Sequence, residues 1–302
     1  MTSSRGSAPP IPPWLALVVA VAAIAWAAPL VRLATAPALA VSMWRLVFSV
    51  AFIAAVLAVR RGRGWPRLGR RDLLLAVAAG VMLAGHFWSW IASVRFTTVA
   101  SAVVLVSLQP FLVAILSAVF LGERPSRLQW AGIGVAVVGA VVVGWGDLAL
   151  GGEALLGDAL AFGAAWLVAG YFVVGRRLRA ELELWHYIAV VYGVAALALG
   201  LAVALTPGVT FLGYPTGDWW VFVALAAGPM MLGHTGVNYA IRYIPAYVAN
   251  LALLGEPLLA TLIAWWLPAI QEVPPTRTLL GGLLILAGIA LGSGWWRRRP
   301  GR

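Results

Sequence analysis

Apolar residues fill this chain in runs of about twenty, broken at intervals by short clusters of Arg, Pro, Gly and acidic residues. Runs of that length span a bilayer core of roughly 30 Å at about 1.5 Å of rise per helical residue. The pattern predicts ten transmembrane helices, at 14–32, 37–59, 72–94, 98–121, 128–146, 158–175, 185–206, 218–241, 245–268 and 278–296. Thr35-Ala36-Pro37 and Phe96-Thr97-Thr98 are short links, so spans one and two, and three and four, are expected to be antiparallel neighbours. The first run resembles a signal peptide at its start, with Arg5 ahead of Trp14–Ile24. It continues to Val31, however, and removing it would leave the first half one helix short, so it is expected to stay.

The polar positions repeat. Gly85-His86 matches Gly233-His234, Arg95-Phe96 matches Arg242-Tyr243, Gln109-Pro110 matches Glu256-Pro257, and Glu123-Arg124-Pro125 matches Glu272-Val273-Pro274, always 147–149 residues apart. The repeat divides the chain into a tail 1–13, a first five-helix repeat 14–146, a linker 147–157, a second five-helix repeat 158–296 and a basic tail 297–302. Five spans per copy is an odd number, so the second copy enters the membrane from the opposite side. The expected fold class is therefore an all-α polytopic membrane protein built from two inverted five-helix repeats. Such repeats place a binding site near the midplane, and rocking one against the other gives alternating access.

Arginine placement sets the orientation. With the N-terminus inside, seventeen arginines fall on the cytoplasmic side and only Arg32, Arg95 and Arg277 on the other, beside Asp147, Glu153, Asp158 and Asp218. That is a positive-inside bias with both termini cytoplasmic and 147–157 extracytoplasmic. The chain is 63% hydrophobic and 10% charged, with a mean hydropathy of +0.95. The net charge of +11 lies in short loops, where it reads as membrane orientation and not as a nucleic-acid surface. No cysteine is present, which removes thiol chemistry. All 21 basic residues are arginine, as in a high-GC genome, so a bacterial cytoplasmic membrane is the expected location.

Ionisable groups inside a membrane are costly and tend to be functional. Glu256 falls roughly 16 Å into span nine, near the midplane, and Gln109 lies at the same depth in span four. Pro110 and Pro257 follow them, and each removes a backbone donor so that its helix can hinge there. The carboxylate suits solute capture, proton exchange or an interhelical hydrogen bond. His86 and His234 read equally as gates or proton carriers and as helix–helix hydrogen-bond partners. Trp90 and Asn238 follow these histidines at i+4 and share their faces. Arg45, about 12 Å from the outer end of span two, could clamp a solute carboxylate or pair with Glu256. Trp26 and Trp166 lie too deep for the interfacial belt that fits Trp65, Trp130, Trp219, Trp220, Trp265, Trp266, Trp295 and Trp296. They are therefore expected to line the site. Gly132, Ala136, Ala140 and Gly144 in span five, and Gly288 and Gly292 in span ten, form small-residue ridges expected to pack within each half. A monomer or a homodimer satisfies these patterns.

Ala100-Ser101-Ala102, Leu108-Gln109-Pro110, Leu121-Gly122-Glu123-Arg124-Pro125 and Leu253-Leu254-Gly255-Glu256-Pro257 resemble the EamA-type branch of the drug/metabolite transporter superfamily over about residues 14–296. The resemblance implies ten helices around a central cavity, the last helix of each half being peripheral, and transport of amino acids or other metabolites. Two extra residues precede Glu272, where the chain departs from the family pattern. No His-Glu-x-x-His motif, nucleophile–base pair or phosphate loop occurs, so neither an enzyme nor an ATP-driven pump is expected, and no cofactor or metal is. The expected function is a secondary active or facilitative carrier exporting amino acids or similar small polar metabolites. The other readings are a carrier for sugars, nucleosides or drug-like compounds, and a non-transporting membrane sensor or structural protein. The candidate cavity comprises Trp26, Arg45, His86, Trp90, Trp166, His234, Asn238 and Glu256, with Glu256, His86 and His234 as proton-coupling candidates.

Overall fold

A backbone N–H or C=O inside a bilayer has no water to bond, and a helix satisfies both internally. The apolar runs accordingly become helices. The computed structural model describes residues 9–60, 68–97, 99–144, 152–271, 273 and 276–293. In chain order the helices are α1 (Pro13–Ile24), α2 (Ala27–Leu33), α3 (Ala38–Val59), α4 (Arg70–Phe96), α5 (Val99–Val106), α6 (Gln109–Phe120) and α7 (Arg127–Gly144) in the first half. The second half holds α8 (Gly152–Arg179), α9 (Leu184–Leu205), α10 (Thr216–Leu225), α11 (Thr235–Ala240), α12 (Ala246–Ala252), α13 (Glu256–Trp266) and α14 (Thr276–Ser293). Among the described residues, seven stretches are long and apolar enough to cross a membrane: Pro13–Leu33, Ala38–Val59, Arg70–Phe96, Glu153–Arg179, Leu184–Leu205, Thr216–Ala240 and Ala246–Trp266. The three other expected spans correspond to α5–α6, α7 and α14. Outside the described residues lie the tail to residue 8 with Arg5, the loop 61–67 with Arg61, Arg63, Trp65 and Arg67, and the stretch 145–151 with Asp147. So do Thr98, Glu272, Pro274 and residues 294–302, with Trp295, Trp296 and the terminal arginines.

Four spans are interrupted, three of them at or just before a proline. Ser107 and Leu108 separate α5 from α6, whose second residue is Pro110. A single 3₁₀ turn, Leu253–Gly255, separates α12 from α13, whose second residue is Pro257. Proline is well placed there, because the first turn of a helix has no donor to lose. Pro229 falls inside a π-helical segment, Ala226–His234, that joins α10 to α11. Wider winding accommodates a ring that would clash with an α-helical carbonyl. Ala25 and Trp26 separate α1 from α2.

Packing runs mainly between the halves. α1 lies against the π-helical segment and α11, while α8 lies against α4, the same relation with the halves exchanged. Corresponding elements also pair with each other, α3 with α9 and α7 with α14, while α6 packs on α12 as its counterpart α13 packs on α5. Spans one and two, expected as neighbours across their short link, thus take their main partners from the second half. The small-residue ridges follow the same rule and correct the expectation that they pack within each half. A methyl added to Gly132 would sit 2.4 Å from the Gly292 nitrogen, and one added to Gly139 would sit 2.6 Å from the Gly281 oxygen. Glycine on both sides lets α7 and α14 meet backbone to backbone, which matters where no hydrophobic effect drives association.

Polar ties join the halves at both ends. At the end where α2 leads into α3, buried Asp218 accepts from the Thr35 amide and hydroxyl at 2.8 Å each and from the Ala36 amide at 2.9 Å. Within the first half, Arg95 donates to the Ala36 carbonyl there. At the arginine-rich end, Arg176 pairs with Glu123 at 2.7 Å and donates to the Ile241 carbonyl at 2.7 Å. Arg60 pairs there with Glu183 at 2.7 Å.

Candidate functional site

Three interruptions, those of α1–α2, α5–α6 and α12–α13, border one cavity, together with α3, α4, α8 and the end of the π-helical segment. Ile24, Ala27, Arg45, His86, Phe87, Trp90, Val106, Gln109, Phe172, His234, Leu253 and Glu256 line it. Its volume is about 30 Å³, on a measure by which one water needs roughly 10–15 Å³. A solute of several heavy atoms therefore requires the helices to part.

Each half supplies a polar side chain at a half-helix start. Gln109 opens α6 and Glu256 opens α13, and both are buried against the cavity. The interruption turns the N-terminus of each half-helix inward, and a carboxylate is favoured at such a position by the exposed amides and the helix dipole. Glu256 makes no side-chain cap hydrogen bond there.

Arg45, on α3, is 1% exposed, and its Nε, Nη1 and Nη2 atoms are all buried without a hydrogen-bond partner. Its guanidinium carbon stands 3.9 Å from the centroid of the Phe87 ring. Stacking on an aromatic face holds the plane of the group while leaving every donor free. Arg45 and Glu256 attract each other across the cavity. The pairing expected as one role for Arg45 is not made as a hydrogen bond.

The two histidines converge, with ring centroids 6.2 Å apart, and Phe87 lies 5.0 Å from His234. His86 Nδ1 is 3.0 Å from the Ala164 carbonyl on α8, so that nitrogen carries the proton, and a neutral ring offers Nε2 as acceptor. His234 Nδ1 is buried with no partner, as is the Trp90 indole nitrogen.

Among the expected cavity residues, Arg45, His86, Trp90, His234 and Glu256 come together, and three do not. Trp26 and Trp166 are 38% and 46% exposed and turn outward. The inward stripe of α1 and α2 is Leu17, Ala20, Val21, Ile24, Ala27, Ala28 and Val31, and that of α8 is Ala161, Ala164, Ala165, Val168 and Phe172. Both tryptophans fall between these stripes, because depth along a helix does not fix the face. Asn238 is wholly buried, donating to the His234 carbonyl at 2.8 Å and to the Tyr171 hydroxyl, behind the cavity wall. Phe87 and Phe172 were missed as lining residues, although each occupies the stripe of small and apolar residues that marks the buried face. Among the described residues, no three His, Asp or Glu side chains gather as a metal site.

The EamA-like transporter family model matches the chain twice, over residues 12–145 and 155–294. A search of curated proteins finds no match. Among solved structures 29 chains match. One, a "Crystal structure of protein", is 21% identical with a TM-score of 0.76, over 96% of this chain and 99% of that one. At that identity the likeness is one of fold.

Proposed function

Because the chain belongs to the EamA-like transporter family, we propose that it is a secondary carrier that exports amino acids or similar small polar metabolites by alternating access. It is a multi-pass membrane protein of the drug/metabolite transporter type. The observation that carries the substrate reading is the pairing of Arg45 with Glu256 at one cavity. The guanidinium has all its donors uncommitted, and the carboxylate opens a half-helix on the same cavity. Once the helices part, the two groups suit a zwitterion, its carboxylate on Arg45 and its ammonium on Glu256, in the bidentate geometry that favours Arg over Lys. Phe87, Trp90 and Phe172 surround the remainder of the solute with aromatic faces.

The same reading holds that ten spans form two inverted repeats, 14–146 and 158–296, in a bacterial cytoplasmic membrane with both termini inside. The arginine asymmetry supports the orientation. The exchange of partners between halves supports the twofold relation, because α1 stands to α11 as α8 stands to α4. The interruptions at Pro110 and Pro257 serve as hinges beside the site, and Glu256 with the two histidines can carry a proton against the solute. Counterflow in proteoliposomes tests the function: purified protein should accumulate a labelled amino acid against an internal unlabelled pool. Absence of counterflow for every amino acid, with sugars and nucleosides likewise inert, would sink the carrier reading.

A further inference from the structure

His86 and His234, Gln109 and Glu256, and Val106 and Leu253 line the cavity as corresponding pairs from the two halves. Arg45, Phe87 and Trp90 break that balance, since they come from the first half alone. Their counterparts are Tyr192, Thr235 and Asn238. Tyr192 reaches from the second helix of its half to the residue that follows the histidine, as Arg45 does in the first. Its hydroxyl is 3.2 Å from Thr235 Oγ1, where Arg45 instead stacks on Phe87. None of the three counterparts lines the cavity, and Asn238 and Tyr192 are 0% exposed.

This buried cluster is not fully satisfied. The two bonds donated by Asn238 Nδ2, to the His234 carbonyl and the Tyr171 hydroxyl, orient the amide and leave Oδ1 buried with no donor. An unsatisfied buried carbonyl is costly, and a donor group brought by a solute would satisfy this one. In a carrier built from inverted repeats, each half takes in one facing state the arrangement its partner takes in the other.

We propose that Tyr171, Tyr192, Thr235 and Asn238 form a second solute subsite, which lines the cavity when the carrier faces the opposite way and takes a donor group, an ammonium or hydroxyl, on Asn238 Oδ1. The proposal rests on the carrier reading above. It gives the two facing states different chemistry. The state described here offers the Arg45 cation to a carboxylate, and the other puts hydroxyls and an amide in its place beside the paired His, Gln and Glu residues. A carboxylate gripped on one side of the membrane therefore loses its clamp on the other, and the solute is released there.

The chain contains no cysteine, so each single replacement reports one position in otherwise native protein. Ile24→Cys reports the present cavity, and the near-isosteric Thr235→Cys reports the second subsite. Asn238→Cys repeats the measurement should Thr235→Cys not fold. Right-side-out and inside-out vesicles are treated with a membrane-impermeant maleimide, with and without a mixture of the proteinogenic amino acids. Ile24→Cys should label from one side and Thr235→Cys from the other, each slowed several-fold by the mixture. A cysteine at 235 or 238 that stays unreactive from both sides while Ile24→Cys labels would overturn the subsite. So would labelling from the same side as Ile24→Cys, or labelling that the mixture slows at Ile24→Cys alone. A mixture that slows neither would overturn the ligand class for both pockets. An Ile24→Cys unreactive from both sides would overturn the carrier reading, and the subsite with it.

Discussion

Replacing Arg45 with Met should stabilise the protein while destroying its affinity for solute. The guanidinium is 1% exposed and none of its three nitrogens has a hydrogen-bond partner. Its stacking on Phe87 at 3.9 Å returns about 0.5–2 kcal/mol. Desolvating an ion costs several kcal/mol, and replacing a poorly compensated buried charge by an apolar side chain of similar volume can gain about 1–4 kcal/mol. The balance therefore favours Met in the solute-free fold. Binding moves the other way. A carboxylate bonded to Arg45 faces no competing partner, and truncating one member of such a buried pair costs about 2–5 kcal/mol, or about 30- to 5,000-fold in affinity. Thermal unfolding in detergent, followed by size exclusion, should show a higher midpoint for Arg45→Met, alongside loss of counterflow in proteoliposomes. A lower midpoint rescued by Arg45→Lys would show that the charge holds the fold, and the argument from its free donors would fail. Retained counterflow would remove Arg45 from the site.

Gly132→Leu should abolish recovery of folded protein, because its Cβ would lie 2.4 Å from the Gly292 nitrogen, whereas Gly134→Ala, with nothing within 4 Å, should behave as the native chain. Size-exclusion profiles of the two variants decide this, and equal profiles would refute the backbone contact. Asp218→Asn leaves one oxygen to accept from three donors, so its melting midpoint should fall by an amount matching about 1.5–3 kcal/mol for each charge-assisted bond lost. An unchanged midpoint would mean that water replaces these bonds without cost. Glu256→Gln removes both the proton carrier and the carboxylate offered to the ammonium, so counterflow of amino acids should weaken and gradient-driven transport should end; unchanged counterflow would remove Glu256 from the solute site.

The sequence displays what periodicity and repetition control. Runs of about twenty apolar residues mark the helices, and the doubled Gln-Pro and Glu-Pro steps mark where α5–α6 and α12–α13 part. The convergence of Gln109 with Glu256, and of His86 with His234, follows once those pairs are seen as copies. Rotation about the helix axis was harder to read. Trp26 and Trp166 carry no polar mark of the face they occupy, and the alanine stripes beside them were the better guide. Partner choice was hidden too, since Gly132 and Gly288 form equally good ridges whether helices meet within a half or between halves. Asp218 looked like a loop acid near a membrane surface. Its role in holding Thr35 and Ala36 depends on contacts about 180 residues apart, which no local pattern encodes.

The interlocking of the halves also bears on how the protein is made. Helices enter a membrane in order of synthesis, and the first half, through α7, is complete before most of the second half exists. Until then the hydrogen bond from His86 to Ala164, the ion pair from Glu123 to Arg176 and the anchoring of Thr35 by Asp218 all lack a partner. The early intermediate is thus an unfinished surface on which polar groups face lipid or borrowed contacts. Its assembly waits on α8 docking against α4 and on α14 closing over α7. The quality-control machinery of the cell would meet this chain as half a lock waiting for its other half.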